Sequence, residues 1–148
     1  MAAIVNSIEI DRPAEEVFRY ASDPARFPEW QRDVARVSVD GREVGSRFTT
    51  VRKIGGQERS MTQEISENEP PRAWAARGVD GPVRPNASIA VEPLGPERCR
   101  VTFSLDFEGR GVGAALVPMV RRIAAKVAPT SHQRMKDLLE GDDQAAAG

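Results

Sequence analysis

The chain has 148 residues, of which 40% are apolar and 29% are charged, and its formal net charge at pH 7 is -1. This composition is typical of one folded globular domain and argues against a disordered chain. Charges of both signs are spread along the chain, which argues against nucleic-acid binding, because nucleic-acid binders concentrate positive charge. No apolar run is long enough to span a bilayer, and the segment MAAIVNSIEI lacks the charged and apolar regions of a signal peptide. Since Cys99 is the single cysteine, we expect a cytoplasmic protein without an internal disulfide.

The first elements are a strand and two short helices. Residues 3–10 place apolar side chains at alternate positions and are predicted to form a strand. A helix is predicted to open at Pro13, because proline is tolerated in the first helical turn. Asp23 is then expected to cap a second short helix that begins with proline and ends near Trp30.

Strand-like segments separated by turn signals occupy the middle of the chain. They cover approximately residues 34–39, 46–54, 57–67, 72–79, 86–94 and 98–108. Glycine, proline and aspartate between them favour tight turns. In the last segment the apolar residues from Cys99 to Phe107 occupy alternate positions, with charged and hydroxyl residues between them. This alternation indicates an antiparallel sheet with one buried and one wet face.

A long helix is predicted after the strands, from Val112 to about Glu140. Its apolar residues recur at helical spacing, and they are Leu116, Val120, Ile123, Val127, Met135 and Leu138. Pro129 falls inside this helix and is expected to kink it. One domain is predicted over 1–140, with a disordered tail at 141–148. Since a sheet with one apolar face needs a cover, this helix is expected to pack on it.

Four motifs, in this order, resemble the START-like SRPBCC superfamily, in particular its polyketide cyclase/dehydrase group. They are IEIDRPAEEVF at 8–18, DPARFPEW at 23–30, GSRF at 45–48 and MKDLLE at 135–140. The resemblance implies an α+β helix-grip fold, in which a curved antiparallel sheet of about seven strands encloses a cavity against the C-terminal helix. The superfamily includes lipid carriers, plant hormone receptors, aromatic polyketide cyclases and chaperone activators, so the fold does not specify a function.

The sequence predicts no catalytic residue, no metal and no cofactor. Gly109–Ala114 matches G-x-G-x-x-A, but a dinucleotide fold needs a further parallel strand with an acidic residue, so these glycines are predicted to serve a turn. His132 is the single histidine, has no metal-ligand spacing around it and is expected on the surface. Cys99 is expected to be a small buried hydrophobe.

The predicted ligand site is a pocket between the sheet and the final helix. The small residues Ala76, Gly78 and Ala90 lie on strands where a filled core would favour bulk, which predicts a cavity of roughly 300–1,000 Å³. The inward strand register stays open, because a slip of one residue reverses the face. The side chains predicted to line the cavity are Trp30, Phe48, Thr50, Arg52, Met61, Gln63, Trp74, Phe103, Leu105, Met119 and Ile123. The polar members, with Asn6, are expected to bind the polar end of a ligand.

These features predict binding or transport of a small hydrophobic or aromatic molecule, including a lipid, without catalysis. One alternative is a polyketide aromatase/cyclase, which needs a general acid or base inside the cavity that the sequence does not offer. Another is a protein-binding module of the chaperone-activator type, which needs an exposed apolar or charged patch. The oligomeric state, monomer or dimer, stays open.

Overall fold

The computed structural model of the chain describes residues 3–147, with side chains described over 3–141. Seven strands are present, namely β1 (Ile4–Ile10), β2 (Val34–Val39), β3 (Arg47–Ile54), β4 (Gln57–Glu69), β5 (Ala73–Gly78), β6 (Val83–Gly95) and β7 (Arg98–Gly109). The helices are α1 (Ala14–Ala21), a 3-10 turn (Pro24–Arg26) that leads into α2 (Phe27–Trp30), and α3 (Gly113–Ala147). The strands form one antiparallel sheet in the order β1-β7-β6-β5-β4-β3-β2, curled into a half-barrel, which confirms the predicted helix-grip architecture.

The inward faces of the strands follow the predicted alternation. In β7, Cys99, Val101 and Phe103 are buried, and the residues that follow on the same face are half-buried. The inward faces of β3, β4 and β5, which the sequence left open, carry the buried residues Phe48 and Thr50, Met61, Gln63 and Ile65, and Trp74 and Ala76. In β6 the prediction was wrong, because Ala90 is exposed and the inward residues are its neighbours Ile89 and Val91.

The short helices place two aromatic rings over one end of the sheet. The Asp23 carboxylate accepts a hydrogen bond from the Ala25 backbone N–H at 3.1 Å, as expected of a helix cap. The chain then turns through α2, where Phe27 and Trp30 are both buried. Phe27 packs edge-on against Trp30 and against Phe48, with centroid distances of 5.8 Å in each case. This end of the sheet is therefore closed by aromatic packing.

The glycine-rich segment between β7 and α3 is a tight turn, as predicted. Gly111 has φ +59°, a conformation that favours glycine. A side chain at Gly113 would collide with the backbone carbonyl of Pro82, and that carbonyl accepts a hydrogen bond from the Arg110 N–H at 2.8 Å. The parallel strand that dinucleotide binding would require is absent from the described residues, where every strand pair is antiparallel.

Helix α3 packs on the concave side of the sheet. Val120 is buried against Ile54, Met61 and Val83, while Met135 joins the larger cluster that includes residues of β1 and β7. Within the described range, no helix has an apolar stretch long enough to cross a bilayer. The helix is described to Ala147, beyond the predicted end at Glu140. The side chains of 142–148 lie outside the described residues, so the domain limit at 140 and the disordered tail stay predictions. Pro129 lies inside α3, and the kink there also stays a prediction.

Candidate functional site

A cavity of about 120 Å³ lies between the sheet and α3. Every strand except β2 contributes to its wall, together with α2 and the α3 residues from Val120 to His132. The small side chains that line this cavity are Ala87, Ala124 and Ala128. The small residues that the sequence predicted there, Ala76, Gly78 and Ala90, are not part of the wall. The volume is below the predicted range, and the large rings of Trp30, Trp74 and Phe103 form part of the wall.

Most of the predicted cavity residues lie in this wall. Those that do are Trp30, Arg52, Met61, Trp74, Phe103, Leu105 and Ile123, and Asn6 joins them. Met119 does not, since it is 40% exposed while the next residue, Val120, is buried. A helix turns by about 100° per residue, so neighbouring positions face different directions. The prediction for Met119 was therefore wrong.

Three predicted residues face inward but are absent from the cavity wall. Phe48 is packed between Phe27 and Trp74, with ring centroids 5.8 and 5.9 Å away. The Thr50 hydroxyl donates to the Met61 carbonyl at 3.5 Å, and the Gln63 amide donates to the Pro85 carbonyl at 3.5 Å. These long hydrogen bonds direct both polar groups to neighbouring backbone. The predicted polar contacts of Thr50 and Gln63 with a ligand are therefore not supported by their positions.

Arg52 lies in the wall with its charge already compensated. Its Nη1 atom donates to both carboxylate oxygens of Asp33 at 3.2 and 3.1 Å, and its Nη2 atom donates to the Gln31 side-chain oxygen at 2.7 Å. The side chains of Arg52 and Asp33 are 18% and 20% exposed. Contacts from one guanidinium nitrogen to Asp33 and from the other to Gln31 hold the guanidinium at the cavity edge. Arg52 is therefore a positioned polar group, but binding a ligand carboxylate would require it to leave Asp33.

His132 is buried in the cavity wall, contrary to its predicted surface position. It is 8% exposed and stacks on Phe103, with ring centroids 3.7 Å apart and an interplanar angle of 11°. Burial lowers the pKa of His132 to about 4, so the imidazole is neutral at pH 7. The polar neighbours Ser131, Gln133 and Arg134 suggested a surface position. Helical spacing was the better signal, because His132 precedes the core residue Met135 by three positions and shares its face.

The Trp30 ring completes this aromatic wall. It is 2% exposed, and its centroid lies 5.8 Å from that of Phe103 and 6.2 Å from that of His132. Trp74 lies on the other side of Phe27, with a centroid distance of 6.1 Å. Interlocked rings of this kind have few alternative rotamers, so the cavity wall is a defined surface.

The geometry offers neither a metal centre nor a reactive thiol. Within the described residues, no group of three histidine, cysteine, aspartate or glutamate side chains is placed to hold a metal ion. Cys99 is fully buried, as predicted, and burial raises the pKa of its thiol to about 11. Since the thiolate is the nucleophilic form, Cys99 is unreactive at neutral pH in the folded state.

Three solved structures show the same fold at low sequence identity. A START superfamily protein from Mycobacterium smegmatis is 18% identical with a TM-score of 0.77, and the match covers 95% of this chain and 99% of that one. The Zhui aromatase/cyclase from Streptomyces sp. R1128 is 14% identical with a TM-score of 0.71, covering 92% and 94%. The di-domain ARO/CYC BexL from the BE-7585A biosynthetic pathway is 19% identical with a TM-score of 0.73, covering 95% of this chain. This chain spans 47% of BexL, about half its length.

Comparison with curated proteins gives no match. A family model described as "Polyketide cyclase / dehydrase and lipid transport" matches residues 1–140. The match covers nearly the whole chain, from β1 to the last turns of α3 that have described side chains. The chain therefore belongs to the polyketide cyclase / dehydrase and lipid transport family.

Proposed function

We propose that this protein binds a small hydrophobic or aromatic molecule in the cavity between the sheet and α3. The observation that carries the proposal is a cavity of about 120 Å³ walled mainly by apolar and aromatic side chains. An apolar cavity of about 150 Å³ in another protein stays dry and binds benzene, so this volume suits a ligand with one aromatic ring. The lone buried cysteine is consistent with a reducing cytoplasm, and we include that location in the proposal.

A ligand that packs in this space removes its own apolar surface and that of the cavity wall from water, which favours binding by roughly 25 cal/mol per Å² of apolar surface buried. The family includes lipid transport, which fits a carrier or sensor of such a molecule.

A cyclase activity is the second candidate, and His132 is the observation that favours it. The sequence had suggested that no general base lies in the cavity, whereas His132 lines it. Two magnitudes argue against catalysis. A pKa of about 4 makes His132 a weak base, while efficient general bases have pKa values near 7. A space of about 120 Å³ also suits one ring better than a folded polyketide chain.

Calorimetric titration with toluene tests the proposal. The native protein should bind toluene, and Ala128→Leu should weaken binding at least tenfold, because residue 128 lies in the cavity wall and leucine fills the space. Ala125→Leu is the matched control, since residue 125 is on the same helix but exposed and outside the wall. Binding should be unchanged in that variant. Equal toluene affinities in both variants, or no binding to the native protein, would reject the cavity as the site.

A further inference from the structure

Two arginines lie directly opposite each other on the inner face of the sheet, at the edge of the cavity. In the register between β3 and β4, Arg52 pairs with Arg59. Arg59 is half-buried between the exposed residues Glu58 and Ser60, and it shares its strand face with the buried residue Met61. Arg52 and Met61 both line the cavity, so Arg59 lies beside the cavity wall. Directly opposed side chains have Cβ atoms about 4.5–5.5 Å apart, and like charges placed in this way are destabilising.

Only one of these two charges is compensated. Arg52 is paired with Asp33, with a nitrogen–oxygen distance of 3.1 Å. The Arg59 guanidinium forms neither an ion pair nor a hydrogen bond with any residue whose side chain is described. Its Nε atom is buried without an acceptor, whereas its terminal Nη1 and Nη2 atoms are not among the buried unpaired atoms and so remain accessible. Two cations and one carboxylate therefore leave one positive charge here, and its outer donors can be reached.

This edge of the cavity also approaches the solvent. The side chains of Arg52 and Asp33 are 18% and 20% exposed, whereas Trp74 and Val120, which line the cavity elsewhere, are each 2% exposed. A ligand whose ring lies among the apolar side chains can therefore extend a polar group towards Arg59. The donors of an arginine form a planar fork that matches the two oxygens of a carboxylate, and such charge-assisted hydrogen bonds are stronger than neutral ones.

We propose that the ligand is a small aromatic carboxylate, whose ring occupies the cavity and whose carboxylate binds the Nη atoms of Arg59. This proposal rests on the proposed function and names the ligand class of the same cavity. Arg52 stays with Asp33, so the anion is bound by the arginine that has no carboxylate of its own. The bound anion also reduces the repulsion between Arg52 and Arg59. The opposed pair therefore favours anionic ligands over neutral ones of the same shape.

The test compares phenylacetate with 2-phenylethanol, which both carry a benzene ring on a two-carbon chain and differ in charge. Calorimetric titration gives the ratio of the 2-phenylethanol Kd to the phenylacetate Kd, and the native protein should prefer phenylacetate. Arg59→Gln keeps a polar side chain and should lower the ratio about tenfold, the lower end of what a hydrogen bond to a charged group contributes. Arg77→Gln is the matched control, because it removes one positive charge from a residue that is 63% exposed and pairs with Glu64 on the outer face of the sheet. Its ratio should stay within about twofold of the native value.

Thermal melting without ligand shows whether Arg59 has a purely structural role. Because Arg59→Gln removes one of two opposed like charges, its melting temperature should equal or exceed that of the native protein. A marked fall would show that Arg59 already has a partner that stabilises the fold, and it would overturn the proposal. A preference of the native protein for 2-phenylethanol, or an unchanged ratio in Arg59→Gln, would also overturn it while the proposed cavity function stands. If the native protein binds neither of these compounds nor toluene, the proposed function itself fails.

Discussion

Acid should destabilise this protein through His132 before it acts through the carboxylates. The pKa of His132 is lowered by burial from 6.5 to about 4, so the unfolded chain binds more protons than the native state between these values. The contribution of neutral His132 to the free energy of unfolding is therefore fully present above pH 6.5, and it is lost as the pH falls towards 4. With one pKa unit equal to about 1.36 kcal/mol, the loss between pH 7 and pH 5 is about 2 kcal/mol.

Choosing pH 5 separates His132 from the acidic groups. Hydrogen bonding and charge from Arg100 and Arg98 lower the pKa of Glu9, and bonds from Asp11 and Lys136 lower that of Glu140 against the opposing effect of burial. Their stabilisation is present above the unfolded value of 4.5 and is lost below it, so it remains largely intact at pH 5.

Urea unfolding at pH 7 and pH 5 measures the effect, with His132→Phe as the matched variant. Phenylalanine keeps a ring to stack on Phe103 and removes the titrating group. The native free energy of unfolding should fall by about 2 kcal/mol at pH 5, and that of the variant should fall by less than about 0.5 kcal/mol. An equal fall in both proteins would show that His132 is not buried in the neutral form, and the description of the cavity wall would be wrong.

Three further predictions concern packing and reactivity. Phe103→Ala should lower the free energy of unfolding in urea by about 3–5 kcal/mol, because the ring is only 8% exposed. Thr102→Ala, on the opposite face of β7, should lower it by roughly 0.5 kcal/mol, and similar losses in both variants would contradict the β7 register. Gly113→Ala should destabilise the protein by about 1–3 kcal/mol, because the added methyl group would collide with the Pro82 carbonyl. Gly141→Ala is the control, since a methyl group there meets open space and should leave the melting temperature unchanged or raise it. Equal melting temperatures in the two variants would refute the tight turn. Cys99 should resist a thiol reagent at pH 8 in the folded protein and react in urea, and rapid labelling without urea would show that the thiol is not buried.

Strand positions were predictable because each strand carries local signals at both ends. Turn residues such as Gly55 and Gly56 separate the segments, and the period of two in β7 identifies its buried face. All seven strands occur close to their predicted positions. In β6 the sequence has no such clear alternation, since Ala87 to Ala90 mixes small, polar and apolar residues, and the inward face was misassigned there.

The cavity wall was harder to predict because its composition depends on distances between elements. Thr50 and Gln63 are buried, but their polar groups lie against neighbouring backbone carbonyls. His132 was interpreted from its polar neighbours in sequence, whereas its position on α3 turns it towards Phe103. The volume depends on how far rings from three elements extend into the half-barrel, a quantity that no local pattern contains.

The most direct test of the account is a crystal structure of the protein grown with toluene. The ligand should appear between β6, β7 and α3, in contact with Ile89, Phe103 and Ala128, with the surrounding backbone little changed. Such density would establish the cavity as a binding site for a one-ring molecule. A solidly filled interior, or toluene bound only on the outer surface of the protein, would contradict the proposal that this fold binds a small aromatic molecule between its sheet and its long helix.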